Sequence, residues 1–145
     1  MADKLFYREL NLGEKEEIER LSNEAKKVLN IEGGLDYSNT LDAINNFLNL
    51  TRDKGKKVNI IEKYSYELGS LYGNLFVEKY NWNWYYLEKD REVFYCVSPS
   101  NQRVCCAVHN YIFSILTNKH DNNMKLLFNM IKSEYPKDWE FTFLT

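Results

Sequence analysis

The stretch Val58-Asn59-Ile60-Ile61-Glu62-Lys63-Tyr64-Ser65-Tyr66-Glu67-Leu68-Gly69-Ser70-Leu71-Tyr72-Gly73-Asn74-Leu75-Phe76-Val77-Glu78-Lys79-Tyr80 decides the fold. Ile60, Ile61, Tyr64, Leu68, Leu71, Tyr72, Leu75 and Phe76 recur at three- and four-residue spacing. That spacing predicts a long helix with an apolar face wide enough to be buried on more than one side. Gly69 and Gly73 lie one turn apart on it. Each costs up to about 1 kcal/mol in a helix interior relative to Ala, so a neighbouring strand or helix is expected to approach closely there. Membrane helix dimers use the same spacing, but Glu62, Lys63, Glu67, Glu78 and Lys79 exclude a spanning segment here.

Downstream, Trp82–Leu87 and Glu92–Val97 carry the aromatic and β-branched residues that suit a pleated surface. Glu88-Lys89-Asp90-Arg91 between them reads as a charged hairpin turn. Ser98-Pro99-Ser100-Asn101-Gln102 reads as a second turn, and Arg103–Val108 as a third strand, completing an antiparallel meander. Two helices follow, His109–Thr117 and Asn122–Ser133, and the alternation of Trp139–Phe143 suits a short edge strand or an extended tail.

Upstream, Glu14–Asn30 is expected to be a helix, with Leu12, Ile18, Leu21, Ala25, Val28 and Leu29 on one stripe and Gly33-Gly34 as its stop. Glu14, Glu16 and Glu17 complement the positive end of its dipole. A second helix over Thr40–Asp53 turns Leu41, Ile44, Phe47 and Leu48 inward, with Ser38 or Asn39 as its cap. The fold class is therefore α+β: a three-stranded meander packed with a long central helix and four further helices. One domain over residues 1–145 is expected, with a helical segment, residues 1–57, packing on a core built from 58–145. Only Phe6, Tyr7, Tyr37 and Phe47 of the aromatics fall before residue 58, so the later segment must supply most of the core.

The chain has 145 residues, 19 Lys+Arg against 21 Asp+Glu, and a formal net charge of −2. Neither half is strongly basic, so the electrostatic footprint of a nucleic-acid binder is missing. The polar opening residues lack the apolar run of a signal peptide, and no stretch approaches the length of a spanning helix. A cytoplasmic protein with reduced thiols is the expectation. Cys105 and Cys106 are adjacent and would point to opposite faces of a strand, so they are poor partners for each other; Cys96–Cys105 or Cys96–Cys106 is the disulfide alternative.

Sites for chemistry are few. His109, His120 and the three cysteines show neither a Cys-x-x-Cys nor a closely spaced His pair, so no metal is expected. Gly33-Gly34 lacks the flanking residues of a phosphate loop, and no cofactor is expected. A Cys106 nucleophile with His109 as base, oriented by Asn110 or Asp121, competes with the reading of His109 as an exposed ring at a helix start. Trp82, Trp84 and Tyr86 share one strand face, and Asn83, Tyr85 and Leu87 the other. Either both faces are buried, or Tyr85, Tyr95 or Trp139 stays exposed as an interface anchor.

The run Leu68-Gly69-x-x-x-Gly73-x-Leu75, then Trp82-x-Trp84, Val97-Ser98-Pro99 and Val108-His109 before an apolar helix, resembles a family of small bacterial domains of unknown function. The resemblance spans residues 60–118, with Asn81 and Asn110 where that pattern carries Gly and Pro. It implies no catalytic residues. Domains of this type are similar in size and style to the immunity proteins that bacteria pair with toxins. The function expected is thus a non-catalytic protein-binding module, most concretely one that neutralises a cognate toxin by direct binding. Tyr85, Glu88, Asp90, Arg91, Glu92 and Tyr95 are its candidate contacts. The alternatives are a small enzyme or ligand-binding domain around Cys106 and His109, and a homodimer packing its exposed aromatics.

Overall fold

A computed structural model describes residues 5–31, 36–52 and 55–144. The central helix, α3, runs from Val58 to Tyr80, the bounds its apolar spacing predicts. It ends on Asn81 in the left-handed conformation (φ 60°), a geometry that Asn tolerates better than most side chains. Helices α1 (Leu12–Val28) and α2 (Tyr37–Thr51) pack against it from the upstream side of the chain, and α4 (Val108–Leu116) from the downstream side. A short α5 (Met124–Asn129) completes the helices among the described residues.

Helix starts follow local chemistry. Asn11 caps α1: its side chain accepts from the Glu14 N–H at 2.8 Å, and the Asn11 N–H donates back to Glu14 at 2.9 Å. Leu12, expected on the buried stripe, instead sits at the first position of α1 and is exposed. The cap of α2 is Asp36, which accepts from the Asn39 N–H at 2.8 Å; the helix therefore begins before Ser38 and Asn39, the caps expected from sequence. Gly33-Gly34 and Asp53 lie outside the described residues.

The expected three-stranded antiparallel sheet is present, with a different third member. Its order is β1 (Leu5–Glu9), β2 (Asn83–Lys89), β3 (Glu92–Ser98). Arg8 pairs with Tyr86, and Tyr86 with Tyr95, which fixes the register across all three strands. The segment expected to finish the meander keeps only one bridge to β3, Val97 to Cys106. Its strand, β4 (Val104–Cys105), pairs instead in parallel with β5 (Thr142–Phe143). Ser98 donates to the Val104 carbonyl at 2.7 Å, so the chain has bent away before a ladder can continue.

The two glycines of α3 are explained by what crosses them. A Cβ on Gly69 would lie 2.7 Å from His109 Cδ2 and 2.9 Å from His109 Cα; one on Gly73 would run into the Trp84 ring. Two buried clusters result. The larger one gathers Leu68, Tyr72, Phe76, Trp82, Cys106, Ile112 and Phe128 between the helices. The smaller one, Tyr85, Leu87, Phe94, Cys96, Cys105 and Phe141, lies beneath the sheet. Cys105 and Cys106 thus do enter opposite faces, and all three thiols are free and buried. Among the described residues, no helix is long and apolar enough to cross a membrane.

Candidate interaction face

The residues singled out from sequence do not form one site. Tyr85, expected to be exposed, is buried in the smaller cluster, and its hydroxyl accepts from Gln102 Nε2 at 3.0 Å. The reason is Phe141, which packs edge-on against it at 5.6 Å between ring centroids. Tyr95 is half-buried, and its hydroxyl donates to Glu14 at 2.9 Å. Asp90 and Arg91 form the exposed hairpin tip, both with positive φ (54° and 68°), the signature of a type I′ turn. Glu88 is half-buried on β2, and Glu92 is exposed at the start of β3.

His109, read as an exposed ring at a helix start, does lie in the first turn of α4 but is 7% exposed. Trp84 stacks on it at 5.9 Å, and Tyr66 and Tyr95 stand at 5.6 and 6.4 Å. Ser70 Oγ sits 2.9 Å from its Nε2. Burial pushes the imidazole down to about 4, so it is neutral at physiological pH. Cys106 is fully buried, and burial pushes its thiol well up, away from the thiolate that a nucleophile requires. His109 is thus held by Ser70, and no Cys106–His109 hydrogen bond joins the expected pair among the described residues. Nor do three His, Cys, Asp or Glu side chains converge on a common point among those residues.

A different arrangement emerges from the surface. Three clefts adjoin one another in a band. The first, of about 440 Å³, is lined by Leu127, Met130, Ile131, Tyr135, Trp139 and Leu144, with Met130 61% exposed and Trp139 37%. Leu144 also lines the second, of about 290 Å³, together with Glu92, Phe94, Tyr111 and Phe143. Asn110 and Ser114 line both this second cleft and a third of about 460 Å³, so the edge of α4 is the ridge between them. Glu62, Ser65, Tyr66, His109, Phe113 and Lys119 complete the third cleft. The band grades from apolar at Trp139 to polar at His109.

Of the expected contacts, Glu92 lies directly in this band. Tyr95 borders it through His109, and Trp139 anchors its apolar end. Sequence reasoning passes over Tyr66 and Phe113, and names Asn110 only as a residue that could orient His109 and as a departure from the family pattern. Tyr66 carries a legible signal: it falls off the apolar stripe of α3.

Beside the band, a charged cluster ties α1 to the sheet. Arg8 grips both Glu14 oxygens at 2.7 and 3.1 Å, and its guanidinium lies 4.3 Å from the Tyr86 ring centroid. Arg8, the Asn11 N–H and Tyr95 together hold the Glu14 carboxyl at about 2. On α3, Glu67 is buried with one oxygen unpartnered and Lys63 at 4.0 Å from the other; burial raises its pKa.

No family model, curated protein or solved structure matches the chain.

Proposed function

We propose that this protein is a protein-binding module whose partner lies along the band of three clefts. The observation that carries the reading is the band itself. Exposed Trp139, Met130 and Tyr66 stand on clefts that share lining residues one to the next, and Trp, Tyr and Met are residue types enriched at interfaces. Its apolar end suits burial of a partner's side chains, and its polar end suits discrimination between partners. The concrete form of the reading, neutralisation of a cognate toxin by direct binding, draws its support from the resemblance in residues 60–118.

Affinity capture with tagged protein tests the module, comparing wild type with a Tyr66→Ala/Trp139→Ala variant. One stoichiometric partner, lost in the folded variant, is the expected result. A partner held equally well by the variant would remove the band from the proposal. For the toxin form, the captured partner should arrest growth when produced alone and lose that effect when this chain is produced with it.

A further inference from the structure

The polar end of the band has an unusual hydrogen-bond inventory. Ser70 Oγ lies 2.7 Å from the Tyr66 carbonyl and 2.9 Å from His109 Nε2. A carbonyl can only accept, so the single hydroxyl proton goes to Tyr66, and the proton in the second contact must come from Nε2. This assigns the tautomer from the network. His109 Nδ1 is then an unprotonated acceptor. It has no hydrogen-bond partner among the described residues and is not fully enclosed, so a residue more than nine-tenths buried offers one bare lone pair toward the cleft it lines.

The hydroxyls around it are likewise committed inward. Ser65 donates to the Ile61 carbonyl at 2.8 Å, and Ser114 donates to the Asn110 carbonyl at 3.0 Å. Each hydroxyl thus has its proton committed and keeps only acceptor capacity. Glu62 adds a carboxylate, and Tyr66, 54% exposed, adds a free aromatic face. The one cation, Lys119, has its ammonium 5.9 Å from the Phe113 ring. The His109 lone pair and the Glu62 carboxylate, beside an open ring and apart from the donors Asn110 and Lys119 of the same cleft, complement a group that is planar, positively charged and able only to donate. Guanidinium has five N–H donors, no acceptor and a flat face that stacks on aromatics.

We infer that this cleft receives an arginine side chain of the partner protein, its guanidinium stacked on Tyr66 and donating to His109 Nδ1 and the Glu62 carboxylate. The inference rests on the protein-binding reading and deepens it. A phosphate or carboxylate would meet the His109 lone pair and the Glu62 carboxylate with repulsion, and an ammonium lacks the flat face that stacks on Tyr66 and the second donor direction that reaches both acceptors.

The test needs no partner in hand. Intact protein is titrated by NMR with N-acetyl-arginine-methylamide and with the lysine and citrulline equivalents. Saturable shifts centred on Tyr66, His109 and Phe113 are expected, with the arginine probe at least about tenfold tighter than citrulline, as a charge-assisted contact implies. Glu62→Gln should lose about tenfold for arginine and nothing for citrulline. Equal binding of arginine and citrulline, or no saturation, overturns the inference. Lysine matching arginine overturns the stacking on Tyr66. Free arginine binding more tightly than the blocked form would point to a small metabolite and overturn the assignment to a partner's side chain. If capture succeeds and the probe fails, the module stands and this inference falls; the reverse pattern separates them equally well.

Discussion

The two faces of the three-stranded sheet are built from similar residues and meet different fates. One carries Tyr7, Leu87 and Phe94 in one row and Tyr85 with Cys96 in the next. Phe141 closes over it, and Tyr85, Leu87 and Cys96 are buried. The other carries Arg8, Tyr86 and Tyr95 in one row and Phe6, Glu88 and Val93 in the next. Only its Trp84 end is roofed, by α3 and His109, while Phe6 and Val93 are 50% and 55% exposed. Composition does not separate the faces. What separates them is a remote segment, residues 141–143, that covers one and leaves the other to a single charged cluster.

The sealed face should break most easily. Phe141→Ala is expected to cost about 3–5 kcal/mol, the range for removing a fully buried aromatic, because the cavity opens between two strands and β4. Urea denaturation measures it; a loss below about 1 kcal/mol, small for any buried aromatic, would mean the cover is not what seals Tyr85. Next comes the roofed end of the open face. Gly73→Ala adds a methyl where the Trp84 ring already lies and should cost about 1–3 kcal/mol despite the better helix propensity of Ala. A stabilised variant would show that Trp84 moves aside freely.

Smaller, and dependent on pH, is the clamp on the open face. Glu14→Gln should cost about 1–2 kcal/mol at pH 7, through the lost charge of the Arg8 pair and a weaker, uncharged acceptor for the Asn11 N–H. Because the folded Glu14 sits at about 2, below its ordinary value of 4.5, its contribution is present above 4.5 and is lost as pH falls toward 2. The gap between wild type and variant should close over that window in thermal melts. His109, held at about 4 against an ordinary 6.5, adds a decline as pH falls between those values in both proteins, since only the unfolded chain takes up the proton there. The smallest effect belongs to the uncovered row. Phe6→Ala should change stability by no more than about 0.5 kcal/mol, as for exposed sites generally; a larger loss would place Phe6 under cover.

Much of this is legible in sequence where local patterning decides. The apolar stripe sets the bounds of α3, the two glycines announce a close crossing, which His109 and Trp84 make, and the charged tetrapeptide marks the hairpin turn. Long-range cover is not legible. Leu5–Glu9 is a five-residue edge strand with Arg8 and Glu9 in it, and nothing local reveals that it pairs with residues 85–89. Arg103–Val108 looks like a third meander strand, yet its partner lies at Thr142–Phe143. Tyr85 reads as exposed for the same reason, since Phe141 is far away in sequence. His109 looks exposed because a helix start says nothing of the notch that Gly69 leaves for its ring. The band of clefts is the least legible feature, being assembled from α3, α4 and the segment after α5.

The late cover has a kinetic consequence. The β2–β3 hairpin closes through a two-residue turn, on the fast timescale of local pairing, but β1 and β5 contribute only after long loops have closed. Between those events Tyr85, Leu87 and Phe94 form an open apolar sheet face, the kind of surface through which refolding chains associate. Refolding yield should therefore fall as protein concentration rises, even for the wild-type chain.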